Sequence, residues 1–426
     1  MQNQSIIPSA STPDRPQAVA ALLPEEIIDS ILLQLGYDYS TPAWFPSQSE
    51  RAKVLSIMSV VAEGWTEPAR RLLIRTVRVE TWAKLKAPVG HGVGKQVRRL
   101  EIGNSGLDGV ESGEIGRAIV ELLKKLPNLR QLSLVGDYGP FDYTDFSFMQ
   151  STVFLPQLSE LELVNIASPH SIIFNLLATS GHRIRRLSVR CSDDGAGINP
   201  LAGGQLDFCG NLRYLSTYGA FYQTMLDPTQ VALDGLVGLE ELGLPFNVAV
   251  EPNKREGGFL RAIGPTLGTL TVAAEKAAWF TDFPDHLTQL SRLAINTNGN
   301  VDPIPFLRRL PPTLTSLRFS DDRPSRLNLS PLTANPALLP ASLKSIGFRS
   351  ISVVSTFTNL PRIDTLQMVY SRAAFAMLGG LPPGTLPFKT LELSFDDGLL
   401  DELSLAQAEC VRLGLGFRHR TDPWNA

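Results

Sequence analysis

The sequence predicts an α/β solenoid with parallel strands on a concave face and helices and loops on the convex face, preceded by a short helical unit. Three observations lead there. A short apolar pattern recurs along most of the 426 residues; 34 glycines and 31 prolines are spread over the whole length; and one amphipathic segment near the N-terminus has helical spacing.

The pattern is apolar-x-x-apolar-x-apolar. Its copies are Val97/Leu100/Ile102, Leu129/Leu132/Leu134, Leu158/Leu161/Leu163, Ile184/Leu187/Val189, Leu239/Leu242/Leu244, Leu267/Leu270/Val272, Leu290/Leu293/Ile295, Leu314/Leu317/Phe319, Leu343/Ile346/Phe348, Ile363/Leu366/Met368 and Phe388/Leu391/Leu393. Leu212/Leu215 fits with Thr217 as a weak third member, and Ile74/Val77/Val79 is a first copy. From Leu100 to Leu391 the middle residue advances in eleven steps of 20 to 32 residues. The alternating part reads as a strand with one buried face, because strand side chains alternate with period two. Leu126-Pro127, Leu155-Pro156, Pro265, Pro311-Pro312 and Pro340 precede several copies and close the segment before each strand. Between strands, Ile115, Ile119, Leu122, Leu123 and Leu126, and again Ile172, Ile173, Leu176 and Leu177, have helical spacing. No unit of this size buries its own apolar face, so the units must stack. Leu399 to Arg412 as a helix and Leu413 to Phe417 as a strand would close the array.

This repeat resembles the irregular leucine-rich repeats. In that family an Asn or Cys three positions after the last apolar residue bonds the backbone between coils. Here Asn247 and Asn298 fit, while Ser105, Asp137, Ser192, Asp322, Ser371 and Asp396 stand elsewhere, and Ile166, Ala220 and Ile351 cannot make the bond. The resemblance therefore implies a degenerate repeat with uneven coils.

Near the N-terminus, Leu23-Pro24-Glu25-Glu26-Ile27-Ile28-Asp29-Ser30-Ile31-Leu32-Leu33-Gln34-Leu35 starts with proline near the first helical position and two carboxylates in the first turn, where the helix dipole favours them. Leu23, Ile27, Ile31 and Leu35 line one stripe, and Ile28 and Leu32 widen it, a breadth that fits packing on two sides. This opening resembles the F-box signature, and Val61-Ala62-Glu63-Gly64-Trp65-Thr66-Glu67-Pro68-Ala69 is similar to that family's second block, with Ala62 in place of the usual Cys. The resemblance covers residues 21–76. It implies a tail over 1–20, an F-box-like helical unit over 21–76 and a repeat solenoid over 77–426. It also implies that Leu23, Pro24, Ile27, Ile28, Ile31, Leu32 and Leu35 dock a Skp-type adaptor, joining the chain to a cullin ubiquitin ligase. Trp65 then belongs to the core of the helical unit. The alternative is a scaffold without a ligase link, whose N-terminal helices only cap the solenoid.

Composition excludes other classes. Hydrophobic residues make up 43% and charged residues 19%, enough for a large core, and a net charge of −3 provides no global field for nucleic acid. No apolar run reaches the ~18–20 residues of a membrane span, and Met1 to Pro16 has no apolar signal core. Cys191, Cys209 and Cys410 are widely spaced and read as buried thiols of a cytoplasmic or nuclear protein. His91, His170, His182, His286 and His419 stand alone, with no zinc-site spacing. Gly90-His91-Gly92-Val93-Gly94-Lys95 lacks both fixed ends of a phosphate loop and reads as a flexible connection, and the pairs Asp193-Asp194, Asp321-Asp322 and Asp396-Asp397 read as loop residues. The expectation is a non-enzyme with no catalytic residue, cofactor or metal.

Function then rests on the concave positions between anchors. Glu160 and Glu162, then Arg186, Ser188 and Arg190, then Tyr214, Ser216 and Tyr218 follow on successive strands, with Arg292, Arg318 and Arg349 later and Gly243, Thr269, Thr271 and Ser345 as small residues. Tyrosine and arginine are enriched in binding hot spots. Glu160, Glu162, Arg186, Arg190, Tyr214 and Tyr218 are the candidate substrate-binding patch. The competing reading is that stacked acids and arginines only pair with one another.

Overall fold

The computed structural model describes residues 56–57, 66, 68–69, 74–107, 109–136, 155–166, 180–191, 209–218, 238–243, 264–273, 287–297, 309–321, 339–348, 362–395 and 402–420. The chain divides into two compact units, and the one that carries Thr76–Ala426 holds every strand among the described residues. The candidate adaptor-docking residues Leu23, Pro24, Ile27, Ile28, Ile31, Leu32 and Leu35 lie outside the described residues, as does Trp65.

The strands follow one another in both sequence and space: β1 (Thr76–Thr81), β2 (Arg99–Gly106), β3 (Gln131–Val135), β4 (Glu160–Ile166), β5 (Arg186–Cys191), β6 (Tyr214–Tyr218), β7 (Glu241–Gly243), β8 (Thr269–Ala273), β9 (Arg292–Thr297), β10 (Ser316–Asp321), β11 (Ser345–Phe348), β12 (Ile363–Val369), β13 (Phe388–Ser394) and β14 (Gly416–Arg420). They form one 14-stranded sheet in the order β1 to β14, and every neighbouring pair is parallel. Parallel neighbours need a crossover each time, so the chain winds as a leucine-rich-repeat-like solenoid.

The predicted anchors set the register. Val77, Leu100, Leu132, Leu161, Leu187, Leu215, Leu242, Leu270, Leu293, Leu317, Ile346, Leu366, Leu391 and Phe417 pair strand to strand along one row. From Leu100 to Leu391 each is at most 2% exposed, whereas Val77 and Phe417 at the two ends are only partly buried. The weak copy at Leu212 and Leu215 is a full member, as β6. Polar Thr217 pairs in register with Val189.

Coils are joined mainly through the backbone. The carbonyl of the residue just before a strand accepts two successive N–H groups of the next coil. This holds without a break for Arg98, Arg130, Ser159, Arg185, Arg213, Glu240, Gly268, Ser291, Thr315 and Lys344, at 2.7–3.1 Å. Entry to the strand is equally regular. A tight turn bonds the first apolar anchor to the residue three before it, as Leu129 N–H to the Leu126 carbonyl, Leu158 to Leu155, Leu267 to Gly264 and Leu314 to Pro311. Pro127, Pro156, Pro265 and Pro312 occupy the second position of these turns, where a fixed φ suits the geometry. Among the described residues a polar side-chain ladder lies just before the first anchor. Asn128 donates to the Lys95 carbonyl (2.8 Å), Asn211 to His182 (2.6 Å), Thr266 to Leu239 (3.0 Å), Thr313 to Leu290 (2.8 Å) and Ser342 to Leu314 (2.7 Å). Of the positions expected to bear it, Asp137, Ser192, Asn247, Asn298, Asp322 and Asp396 lie outside the described residues.

The α-helices among the described residues of this unit are α1 (Trp82–Lys86), α2 (His91–Gly94), α3 (Ser112–Lys124), α4 (Arg372–Gly379) and α5 (Leu403–Leu413), with single 3-10 turns at Gly181–Arg183 and Gly264–Thr266 between inner strands. α3 buries Ile115, Ile119, Leu122 and Leu123, as their spacing predicts, while 172–177 lies outside the described residues. The segment read as a flexible connection instead forms α2, and Gly94 is where it meets the next coil. A Cβ there would come within 2.3 Å of the Lys125 carbonyl oxygen. The closing strand lies later than Leu413 to Phe417. The last helix runs to Leu413, Gly414 ends it at φ +74°, the Leu415 N–H reaches back to the Cys410 carbonyl (2.8 Å), and only then does β14 begin.

The C-terminal coils carry a polar lock. The Tyr370 hydroxyl donates to Glu402 (2.5 Å), which also receives Arg372, and the Tyr370 ring stacks on Phe395 at 4.7 Å. Burial, then the hydrogen bond to Glu402, pushes the phenol from 10 up to about 12. Glu402 is held below the usual carboxylate value, first by Arg372 and then by Tyr370.

Two outcomes follow from this packing. Leu187→Ala, at a fully buried anchor inside the array, lowers unfolding free energy by about 2–5 kcal/mol in urea melts, and Phe417→Ala at the half-covered end lowers it by less. Below pH 10 the Tyr370 phenol keeps its proton in both folded and unfolded chains. Above that value the unfolded chain releases the proton first, so stability falls between pH 10 and about 12. Urea midpoints on either side of pH 10 show a smaller alkaline loss in Tyr370→Phe.

Candidate interaction surface

Between the buried anchors, each strand offers one residue per row on the opposite sheet face. The central row reads Arg78, Glu101, Ser133, Glu162, Ser188, Ser216, Gly243, Thr271, Ala294, Arg318, Gly347, Gln367, Glu392 and Arg418. Its N-terminal part is charged and closed in on itself. Arg78 meets Glu101 at 3.1 Å and Glu80 at 2.9 Å, with Glu101 only 6% exposed. Ser133, fully buried, donates to Glu162 at 2.9 Å. The middle, from Ser188 to Ala294, carries small side chains. A Cβ on Gly243 would come within 3.0 Å of the Ser216 hydroxyl, so this row is tight at β7. Further on, Arg318 reaches across Gly347 to the Gln367 amide oxygen at 3.1 and 3.3 Å, a span of two strands made possible by the missing side chain between them.

The candidate substrate residues fall into one neighbourhood on β4, β5 and β6. Glu160, Arg186 and Tyr214 share the row that starts each strand; Arg190 and Tyr218 pair in register at the other end of β5 and β6. The Arg186 guanidinium lies over the Tyr214 ring, 4.2 Å from its centroid, a cation–π contact. Burial raises the Tyr214 phenol pKa, with Arg186 and a hydrogen bond to Ser216 working against that rise. One Arg186 nitrogen, Nη2, is covered without a hydrogen-bond partner among the described residues. Glu162, by contrast, is only 7% exposed and engaged by Ser133. Arg186 and Tyr214 form a half-buried platform, and Glu162 lies beneath the surface as a structural acid. Of the later arginines, Arg292 is exposed and Arg349 lies outside the described residues.

A second row was not singled out from the sequence. The residue immediately before the strand is Arg98 at β2, Arg130 at β3, Ser159 at β4, Arg185 at β5 and Arg213 at β6. Aligning the copies on the middle leucine shows it, because Arg98, Arg130, Arg185 and Arg213 each stand two residues before that leucine. Arg98 donates to the Asn128 carbonyl (3.4 Å) and Arg213 to the Gly238 carbonyl (2.7 Å), the same step onto the turn of the next coil. A Cβ on Gly238 would meet that Arg213 nitrogen at 2.6 Å.

Among the described residues no group of three or more His, Cys, Asp or Glu side chains is placed to hold a metal ion. Cys209 and Cys410 are buried free thiols, and burial pushes them up to about 12 and about 11. No helix among the described residues is long and apolar enough to cross a membrane.

No family model and no curated protein matches the sequence. Solved structures do match in shape. A chain of the yeast Rad7–Elc1 complex is similar at TM-score 0.37 and 14% identity, over 95% of this chain and 94% of that one. A chain of the TLR13–ssRNA13 complex is similar at TM-score 0.36 and 16% identity, over 75% of this chain and 44% of that one. A protein from Bacteroides fragilis is similar at TM-score 0.32 and 13% identity, over 91% of this chain and 88% of that one. These are loose likenesses of shape and assign no activity or partner to this chain.

The buried pair gives a direct check on which side chains serve the fold. Ser133→Ala leaves the Glu162 carboxylate without that donor and lowers stability in urea melts by about 1–3 kcal/mol.

Proposed function

We propose that the chain is a substrate-recruiting adaptor of a Skp–cullin–F-box ubiquitin ligase. In this reading residues 21–76 bind the Skp-type adaptor, and the solenoid over 77–426 holds a protein substrate on its sheet face. The observation that carries the recruiting half is the sheet itself. Fourteen parallel strands place one outward side chain after another in unbroken rows, and the rows vary freely while the anchors beneath them do not. The ligase half is supported by the Leu23 to Leu35 signature and the Val61 to Ala69 block, joined in one chain to that sheet. An apolar helix face held in a partner's groove is a standard mode of recognition. The rate effect is local concentration: a tethered substrate meets the ligase as an intramolecular partner, and no side chain of this chain takes part in bond making.

A pull-down with purified Skp-type adaptor tests the reading. Wild type retains the adaptor, and Ile28→Asp/Leu32→Asp loses it with unchanged circular dichroism and melting temperature. Failure of folded wild type to bind leaves residues 21–76 as a cap and removes the ligase role.

A further inference from the structure

The row of residues two positions before the middle anchor of each coil is sharply divided in charge. From β2 to β6 it reads Arg98, Arg130, Ser159, Arg185 and Arg213, four cations and no acid. From β7 to β14 it reads Glu240, Gly268, Ser291, Thr315, Lys344, Asp364, Lys389 and Leu415, two acids and two lysines, with Asp364 and Lys389 already inside β12 and β13. The chain as a whole carries a net charge of −3, so this concentration of arginine is local.

Packing accounts for only part of it. Arg98 and Arg213 each place one nitrogen on the turn of the following coil, and Arg213 also lies 3.6 Å from Glu240, the acid that ends the run. Arg130 and Arg185 are exposed, and among the described residues neither side chain has a hydrogen bond or an ion pair. Their backbones are fixed, because each carbonyl accepts two N–H groups of the next coil. Two unpaired guanidinium groups thus stand on a rigid base with Ser159 between them.

We infer that this arginine row is a docking surface for an acidic, extended segment of a protein partner. The geometry suits carboxylates. Guanidinium groups bind them bidentately. Arg130 and Arg185 are two strand spacings apart, about 10 Å, and an extended chain in the polyproline II form, with three residues per turn and a rise of ~3.1 Å per residue, spans that with acids three residues apart on one face. A nucleic acid suits it less well. The row has no aromatic side chain on which bases stack, and neutral Ser159 interrupts the cations that a continuous phosphate backbone would meet, whereas acids spaced to match Arg130 and Arg185 pass over it. This inference rests on the sheet-side surface being a binding surface and deepens that part of the proposed function; it does not depend on the ligase.

The test is fluorescence anisotropy with the full chain and two labelled probes, a polyglutamate peptide and an oligodeoxythymidine. The variants are Arg130→Glu/Arg185→Glu and, as a control of equal charge change on the same row, Lys344→Glu/Lys389→Glu. Wild type binds polyglutamate, the arginine variant binds it about tenfold more weakly or worse, and the lysine variant changes by about twofold or less. Arg130→Gln/Arg185→Gln gives the same ranking if charge reversal disturbs the circular dichroism. No binding by wild type, equal loss in both variants, or tighter binding of the oligonucleotide than of the peptide overturns the inference. Adaptor pull-down on the same proteins separates the two claims, because the candidate adaptor residues lie at 23–35. Peptide binding without adaptor binding keeps the arginine surface and discards the ligase role.

Discussion

The doubly accepting carbonyl just before each strand is the constraint on which the rest depends. Ten residues in succession supply it, and they include arginine, serine, glutamate, glycine, threonine and lysine. A backbone bond does not read side chains, so coils of 20 to 32 residues stack in one register although their loops share little. The buried anchors supply the driving force, and the carbonyl ladder fixes the angle at which one coil meets the next. Each coil needs only three apolar residues, a tight turn and a free N–H in the right place.

This division of labour decides where charge can reside. On the first strands the outward row is filled by residues that satisfy one another, as Arg78 does Glu101 and Ser133 does Glu162. Such buried acids are structural because the partners that hold them leave little of the carboxylate to water. From β5 to β9 the same row is small, and polar reach passes to the neighbouring row, where Arg186 covers Tyr214. Buried pairing and half-open polar side chains are thus separated by position, even though the same residue types occur in both.

The middle apolar anchor of each coil was legible in the sequence, down to the weak copy at Leu212 and Leu215, because burial at strand spacing leaves a pattern that loops do not obscure. The coil-to-coil bonds made from Asn128, Asn211, Thr266, Thr313 and Ser342 ahead of the first anchor leave no pattern of their own in the sequence. A polar residue beside a proline turn looks like ordinary turn chemistry, so its second role across coils is hidden. The closing strand begins later than the sequence suggests, because Leu413 and Leu415 continue an apolar pattern, whereas the left-handed Gly414 resets the chain between them. Glu162 and Arg186 look alike as outward residues, and only the depth of the row separates the buried acid from the half-open cation.

β14, the last strand among the described residues, departs from the strands before it in composition. In the row where β13 has Leu393, β14 has an exposed His419, flanked in sequence by Arg418 and Arg420. An open strand edge so charged is a poor template for another chain. Duplication of a gene segment would therefore lengthen this protein from within, since an inserted internal coil meets leucine on both sides and the same carbonyl bonds. A copy added after β14 would meet an imidazole in that row instead of an apolar anchor.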